Sequence, residues 1–110
     1  MRINIYSPTY FRFNKTQKAI STIIETVNSS KHDVKLYLCD NNSPHEMKLW
    51  LLDQDVHNER VVTYLSPINY GKASIVNTVH GAARQSDYIA SIDSDMLNTH
   101  DEYNWIDEMI

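Results

Sequence analysis

Two acidic residues one position apart, Asp93 and Asp95, follow an apolar run late in the 110-residue chain. Carboxylates at this spacing can share a hard divalent cation such as Mn²⁺ or Mg²⁺ through their oxygen atoms. Such a cation neutralises a diphosphate and helps it to leave. The spacing alone is weak evidence, because the chain carries a second pair, Asp53 and Asp55. That pair falls at the C-terminal end of a predicted helix, where we expect both side chains to be solvated.

Two further segments place reactive or stacking groups directly after predicted strands. Asp40 begins an Asp-Asn-Asn turn. Its carboxylate could accept hydrogen bonds from a nucleobase or a ribose, or could serve the turn alone. Pro8, Thr9 and Tyr10 follow the first strand. They could hold a base by stacking and backbone contacts, or could end the strand with a packed tyrosine.

A fourth candidate segment opens a predicted helix with Asn69, Tyr70, Gly71 and Lys72. One of only two glycines in the chain lies here, which indicates a close backbone approach or an unusual dihedral angle. Lys72 at the start of a helix could meet a phosphate, or could be a solvated charge. The single cysteine, Cys39, excludes an intrachain disulfide, and its place at a strand end favours a small buried residue over a nucleophile.

These groups are positioned by an alternation of strand and helix patterns. The predicted strands cover residues 3–7, 34–39, 60–65 and 87–92. The predicted helices cover residues 15–28, a segment after Ser43, residues 71–84, and a short stretch around 105–110. Ser43 and Glu46 have capping-box spacing, with Pro44 at the first helical position. In the first strand, Pro8 is expected to end the pairing.

Helical periodicity assigns one apolar face to each of the three main helices. The residues predicted to face inward are Ala19, Ile20, Ile23, Ile24, Val27, the stripe Leu49–Leu52 with Trp50, Ile75, Val76, Val79, Ala82 and Ala83. Strands alternating with such helices predict a three-layer α/β fold with a parallel, Rossmann-like sheet. Ligands of such sheets bind beyond the carboxyl ends of the strands, where the four segments lie.

Composition limits the class of protein. Lys and Arg total 10 and Asp and Glu total 14, so the net charge is −4, and 42% of residues are apolar. These figures predict one globular domain over residues 1–110 that does not bind nucleic acid by bulk charge. No apolar run approaches the length of a membrane span. One cysteine suits a reducing compartment, so we expect a cytoplasmic location.

Together the four segments resemble the N-terminal half of a family 2 glycosyltransferase, the inverting GT-A type. That family has Pro-Thr-Tyr after its first strand, an Asp-rich turn with Ser, Asn-x-Gly-Lys at a helix start, and a strand that ends in Asp-x-Asp. The matching segments are Pro8-Thr9-Tyr10, Asp40-Asn41-Asn42-Ser43, Asn69-Tyr70-Gly71-Lys72 with Asn77, and Asp93-Ser94-Asp95. The resemblance covers about residues 2–97.

The resemblance implies a nucleotide-sugar donor, most often a UDP-sugar, whose sugar passes to an acceptor hydroxyl with inversion. By its pattern Thr9 and Asp40 hold the nucleobase and Lys72 lies near the nucleotide. Asp93 faces the ribose side, and Asp95, with Asp93, ligates Mn²⁺ or Mg²⁺. The positions expected to bind the nucleotide are Pro8, Thr9, Tyr10, Asp40, Asn69, Gly71, Lys72 and Asp93.

The chain departs from the family pattern in three loop positions and in its length. Phe11 stands where the family usually has Asn, Asn42 replaces a common Gly, and Pro44-His45 replace Thr-Asp. In the family the catalytic base, the acceptor pocket and a further metal ligand come from a C-terminal half. This sequence ends before that half, so the catalytic residues are unknown. We expect a donor-binding half-domain with four parallel strands in the order 3-2-1-4.

Two alternatives remain open from the residues alone, and a third is disfavoured. The chain could be a non-catalytic nucleotide-binding or interaction module derived from a truncated relative. It could be a generic Rossmann-like domain whose acidic strand ends are structural. A nucleotidyltransferase should show a glycine-rich first loop, and residues 8–12 contain no glycine. In each case the half-domain leaves a sheet edge and an apolar face uncovered, which predicts self-association, a partner, or a missing C-terminal half.

Overall fold

The computed structural model describes residues 2–10 and 13–92, which form four strands and three helices. In chain order these are β1 (Arg2–Thr9), α1 (Phe13–Ser29), β2 (Asp33–Asn41), α2 (His45–His57), β3 (Val61–Ser66), α3 (Lys72–Ala82) and β4 (Tyr88–Ser91). The strands pair in parallel in the order β3-β2-β1-β4, which confirms the predicted order. The helix predicted around residues 105–110 lies outside the described residues.

The sheet carries helices on both faces, so the predicted three-layer α/β architecture is confirmed. The α1/α2 face buries Ile3, Ile5, Leu36, Leu38 and Val61 against Ile20, Ile23, Ile24, Val27, Met47 and Leu51. The α3 face buries Tyr6, Tyr37 and Cys39 against Ile75 and Val79. All five inward positions predicted for α1 are buried. These faces determine on which side of the sheet each strand-end side chain lies.

The predicted core stripe of α2 is wrong at two positions. Met47 and Leu51, four residues apart, are fully buried, whereas Leu49 and Leu52 are 54% and 40% exposed. Residues four apart share one face of a helix, and consecutive residues do not, so a four-residue run cannot pack entirely against one sheet. Trp50 is half-buried at the margin of this face. Its ring packs edge-on against that of Phe13, with 6.1 Å between the ring centroids.

β1 runs through Pro8 to Thr9, so Pro8 does not end the strand as predicted. The carbonyl of Tyr6 accepts a hydrogen bond from Ile92 N at 2.9 Å, which shows that this position faces β4. Pro8, two residues further, faces the same side. The pairing between β1 and β4 ends at Tyr6 and Ser91, before Pro8. The N–H that proline lacks is therefore not needed for a bond to β4, and the pairing with β2 continues.

β4, the strand predicted over residues 87–92, is exposed although its sequence is largely apolar. Tyr88 and Ile89 are 49% and 61% exposed, and among the described strands β4 pairs only with β1. Ala82, predicted to face inward, is also exposed at the end of α3. Self-association through this edge stays a prediction.

The opposite edge of the sheet is protected by α2. Asp55 accepts a hydrogen bond from the backbone N–H of Thr63 in β3 at 2.7 Å, and Thr63 Oγ1 donates to the carbonyl of Leu51 at 2.8 Å. The prediction that Asp55 is only solvated is therefore wrong. Its carboxylate satisfies a donor that an edge strand would otherwise present to another chain. Asp53 is exposed and lies 3.1 Å from His57 in an ion-pair geometry.

A polar network at the amino end of the sheet holds the segment that follows α3. Asn4, fully buried on the α3 face, donates to the carbonyl of Arg84 at 2.8 Å and accepts from Arg84 Nε at 3.0 Å. The guanidinium also donates to the carboxylate of Asp33 at 2.8 Å. Tyr6 shares a hydrogen bond of 2.7 Å with His80 at the end of α3. The contacts between Asn4, Arg84 and Asp33 lie toward the amino ends of the strands, whereas Tyr6 lies beside Ser91 in the β1–β4 register.

The Arg84–Asp33 pair predicts a pH-dependent contribution to stability. The hydrogen bond from Arg84 holds the pKa of Asp33 below its ordinary value of 3.8. A carboxyl whose pKa is lower in the folded state stabilises the fold above its unfolded pKa, and the benefit is lost as the pH falls through the folded pKa. We expect Asp33→Asn to cost about 1 kcal/mol or less at pH 7, because the group is half-exposed. Urea unfolding at pH 7 and near pH 3 checks this, and a cost that persists at the acidic pH contradicts it.

Candidate functional site

β1 and β2 end side by side at the carboxyl edge of the sheet. Thr9 pairs with Asp40 in the β1–β2 register. Asp40 and Asn41, predicted to form a turn, are the last two residues of β2 and pair with β3. Because side chains alternate along a strand, Thr9 and Asp40 lie on the α1/α2 face and Pro8 and Asn41 on the α3 face.

Asp40 is fully buried, and both of its carboxyl oxygens accept hydrogen bonds. Thr9 Oγ1 donates to Oδ1 at 2.8 Å, and Ser43 N donates to Oδ2 at 3.0 Å. The Ser43 hydroxyl donates to Oδ1 as well. This side chain therefore joins β1 to the turn that leads into α2. Contact of Thr9 or Asp40 with a nucleobase stays a prediction.

The start of α2 differs by one residue from the predicted capping box. α2 begins at His45, so Pro44 is its N-cap residue and not its first helical residue, and Pro44 makes no side-chain cap. The Ser43 hydroxyl donates to the Asp40 carboxylate, a bond that the local spacing does not predict. Acceptance by Ser43 from the first helical N–H groups stays a prediction.

Asn42 occupies the one positive-φ position held by a non-glycine residue in the described part of the chain, with φ at 59°. Asparagine tolerates the left-handed region better than other residues with a Cβ. The side chain also accepts a hydrogen bond from Lys48 Nζ at 2.7 Å. The family pattern commonly has Gly at this position, and Asn42 allows the same left-handed turn.

Asn41 is a candidate that the sequence reasoning missed. It is 2% exposed, and its side chain reaches the loop before α3. Its Oδ1 accepts from Tyr70 N at 3.1 Å, and its Nδ2 donates to the carbonyl of Gly71 at 3.3 Å. If the strand had been predicted to continue past residue 39, the alternation of its side chains would have placed Asn41 on the same face as Cys39. The amide ties the end of β2 to the start of α3.

The loop before α3 has the unusual backbone predicted for its glycine. Gly71 is the N-cap residue of α3, with φ 84° and ψ 162°. A Cβ at this position would meet no atom within 4 Å, so the dihedral angle, not a close approach, is the reason for glycine. Asn69, which is exposed, accepts from Gly71 N at 2.8 Å and closes the turn.

A cavity of about 380 Å³ opens at the carboxyl edge on the α3 face. Its lining is Pro8, Lys72, Ala73, Val76, Asn77 and Ser91. The four lining residues from α3 lie one helical turn apart and share a face of the helix. Lys72 is the charged member of this lining, Asn77 and Ser91 are polar, and the remaining side chains are apolar. The volume lies in the range of small-molecule sites, and the lysine suits an anionic ligand.

The cavity includes some of the predicted nucleotide-binding positions and not others. Pro8 and Lys72 line it. The other described positions do not line it: Thr9, Tyr10, Asp40, Asn69 and Gly71. Gly71 is adjacent to Lys72, and Tyr10 is 46% exposed directly after β1. The sequence predicts neither Ala73 nor Ser91 as a site residue and assigns Val76 only to the inward face of its helix, although the helical spacing of 72, 73, 76 and 77 is available.

The predicted metal ligands, Asp93 and Asp95, lie outside the described residues. The last described residue, Ile92, donates its N–H to Tyr6 O, so the chain leaves β4 at the carboxyl edge, beside Ser91 of the cavity. Within residues 2–10 and 13–92, no three His, Cys, Asp or Glu side chains cluster in a way that could hold a metal ion. The metal assignment therefore stays a prediction.

Cys39 is fully buried on the α3 face, and burial raises the pKa of its thiol to about 12. At neutral pH the thiol stays protonated, whereas nucleophilic attack requires the thiolate. This confirms the prediction that Cys39 is a small buried residue.

Comparison with known proteins adds a fold-level finding. No protein-family model and no curated protein matches the sequence. Among solved structures, the chain is similar to the mannosyltransferase PcManGT from Pyrobaculum calidifontis in complex with GDP-Man and Mn²⁺, with TM-score 0.75 and 16% identity. That similarity covers 90% of this chain and 29% of the mannosyltransferase.

Two structures of S. aureus TarS are also similar to this chain. For TarS 1-349 the TM-score is 0.66 with 14% identity over 88% of this chain and 28% of that one. For the second TarS structure the TM-score is 0.66 with 15% identity over 86% and 17%. The chain thus spans less than a third of the length of these structures.

In the described part of the chain, no helix is long and apolar enough to cross a membrane. The parallel sheet with its flanking helices is the Rossmann-like α/β fold of GT-A glycosyltransferases.

Proposed function

We propose that this chain is the donor-binding part of a glycosyltransferase and that its cavity holds a nucleotide sugar. The observation that carries the proposal is the cavity at the carboxyl edge of a GT-A-like sheet, with Lys72 in its lining. Ligands of parallel α/β sheets bind at this edge. A lysine at the start of α3 attracts the diphosphate of such a donor, and the adjacent helix N-terminus adds a favourable dipole.

The donor we propose is a UDP-sugar, on the resemblance of the four segments to family 2 enzymes. The similar mannosyltransferase was solved with GDP-Man, so GDP is the competing nucleotide. In the complete reaction an acceptor hydroxyl oxygen attacks the anomeric carbon. The bond from that carbon to the diphosphate oxygen breaks, the nucleoside diphosphate leaves, and the hydroxyl proton passes to a base. One displacement inverts the anomeric configuration.

A divalent cation, Mn²⁺ or Mg²⁺, supplies charge neutralisation to the diphosphate when bound. We propose Asp95, with Asp93, as its ligands. The mannosyltransferase solved with Mn²⁺ supports the kind of metal. Among the described residues, Lys72 contributes to the same proposed site, because its ammonium group places a positive charge beside the diphosphate.

Calorimetry with UDP tests the donor and metal assignments together. We expect the chain to bind UDP in the presence of Mn²⁺, and expect EDTA or Asp95→Ala to weaken binding at least about tenfold. Asp53→Ala is the matched control, since Asp53 belongs to the second Asp-x-Asp pair and is exposed on α2. Binding that ignores both the chelator and Asp95→Ala overturns the metal assignment. A parallel titration with GDP decides the nucleotide.

The alternative function is a non-catalytic nucleotide-binding module. In this alternative the cavity with Lys72 in its lining binds a nucleotide, and no sugar is transferred. Release of UDP from a UDP-sugar in the presence of acceptor sugars, measured on this chain and on any longer reading frame that contains it, separates the two functions. Turnover supports the enzyme, and nucleotide binding without turnover in both forms supports the module. Acceptor, oligomeric state and cytoplasmic location stay predictions.

A further inference from the structure

Asn41 is a buried amide whose bonds run from the sheet to the loop directly before α3, the helix that lines the cavity. It is 2% exposed at the end of β2, on the α3 face, and it bonds to the backbone of both Tyr70 and Gly71. We propose that Asn41 is a positioning residue that holds Lys72 and the first turn of α3 against the bound diphosphate. This inference rests on the proposed function, because it concerns the same cavity.

The bond to Gly71 gives the amide a direct hold on the helix. The carbonyl of Gly71 accepts the first hydrogen bond of α3, from Ile75 N at 3.1 Å, and also accepts from Asn41 Nδ2 at 3.3 Å. One oxygen atom therefore links the helix to the end of β2. Lys72 is the next residue along the chain, so the position of its backbone follows from this link.

The second bond fixes the rotation of the turn. Asn41 Oδ1 accepts from Tyr70 N at 3.1 Å, so the amide holds two backbone groups on successive residues. Two contacts from one rigid amide define a position and an orientation, whereas one contact defines only a distance. The turn has φ 84° at Gly71, a conformation that glycine leaves easily when it is not held.

Loss of this amide should therefore weaken recognition of the phosphates and not of the nucleoside. We expect Asn41→Ala to weaken binding of UDP with Mn²⁺ about tenfold, a size typical of lost hydrogen bonds. Binding of uridine should change less than about twofold. In the Lys72→Ala background the same substitution should add less than about twofold, because residues that act through one another are not additive.

Asn4→Ala is the matched control for a generic loss of stability. Asn4 is a fully buried asparagine on the same face of the sheet, bonded in the same two-sided way to Arg84, but at the amino end of the strands. It should destabilise the chain without changing UDP affinity, measured well below the unfolding temperature. If Asn41→Ala does not fold, Asn41→Ser removes less volume and still loses the two-sided contact.

A ligand-free measurement separates failure of this inference from failure of the proposed function. Asn41→Ala should speed hydrogen exchange at Tyr70 N and Ile75 N by about tenfold or more, with no ligand present. Unchanged exchange at both amides overturns the positioning role, even if UDP binds. Equal weakening of uridine and UDP overturns it too, because the amide would then contact the nucleoside. Wild-type chain that binds no nucleotide while exchange responds as expected leaves the link to α3 intact and overturns the nucleotide function.

Discussion

Asp40→Ala should cost about 3 kcal/mol of unfolding free energy, a large fraction of the stability of a small domain. The carboxyl group is fully buried and accepts hydrogen bonds from Thr9 Oγ1, Ser43 N and the Ser43 hydroxyl. Alanine leaves the Ser43 amide buried without its acceptor and opens a small cavity at the junction of β1, β2 and the turn. Urea unfolding of the purified variant measures the loss.

Asp40→Asn separates the hydrogen bonds from the volume. An amide nitrogen in place of Oδ1 would face two hydroxyls, which can rotate and accept, and the remaining oxygen could still accept from Ser43 N. We therefore expect a loss of about 1 kcal/mol. Asp53→Ala, on the exposed surface of α2, should change stability by less than about 0.5 kcal/mol. If Asp40→Ala costs as little as Asp53→Ala, the buried carboxyl does not hold this junction.

Gly71→Ala should cost about 2 kcal/mol, for a reason that contacts alone do not reveal. The space is open, because a Cβ here would meet no atom within 4 Å. The backbone, at φ 84° and ψ 162°, lies in a region that is essentially restricted to glycine. The variant must either bear the strain or move the turn that Asn41 holds. We also expect its affinity for UDP to fall, since Lys72 follows directly.

Gly81→Ala provides the opposite result from the same chemical change. Gly81 lies near the end of α3, a Cβ there also meets no atom within 4 Å, and its φ is not positive. Alanine in a helix should raise stability by about 0.5 kcal/mol. Thermal unfolding of the two variants compares them directly. A loss at both positions, or at neither, would contradict the role assigned to the dihedral angle of Gly71.

The layer architecture was predictable because the sequence alternates cleanly between two periods. The apolar residues of α1 recur at helical spacing, and all five predicted positions are buried. The stripe in α2 was not predictable from hydrophobicity, since Leu49 and Leu52 are as apolar as Leu51, and only the position of the sheet selects between them. The Asp55–Thr63 bond was equally hidden, because it joins a helix to the edge of a strand that follows it.

The described candidate residues lie near the carboxyl edge of the sheet, as the topology of parallel sheets requires. Their contact with a nucleotide stays a prediction. Predicting the end of β2 at residue 39 lost the alternation of Asp40 and Asn41, and with it the side of the sheet on which each acts. The bond from the Ser43 hydroxyl to Asp40 could not be predicted, because it depends on where the turn brings the Asp40 carboxyl.

The alternation at the end of β2 makes the chemistry of the site sensitive to the length of this strand. Asp40 and Asn41 are adjacent, yet one holds the junction on the α1/α2 face and the other holds the turn on the α3 face. One residue inserted into β2 would exchange their sides, because the period of a strand is two. The Asp40 carboxylate would then lie on the same face as Lys72. The cavity would bind phosphates more weakly and cations more strongly. In a family built on this sheet, whole-residue insertions in β2 would therefore be a route to a change of ligand charge without any substitution at the cavity itself.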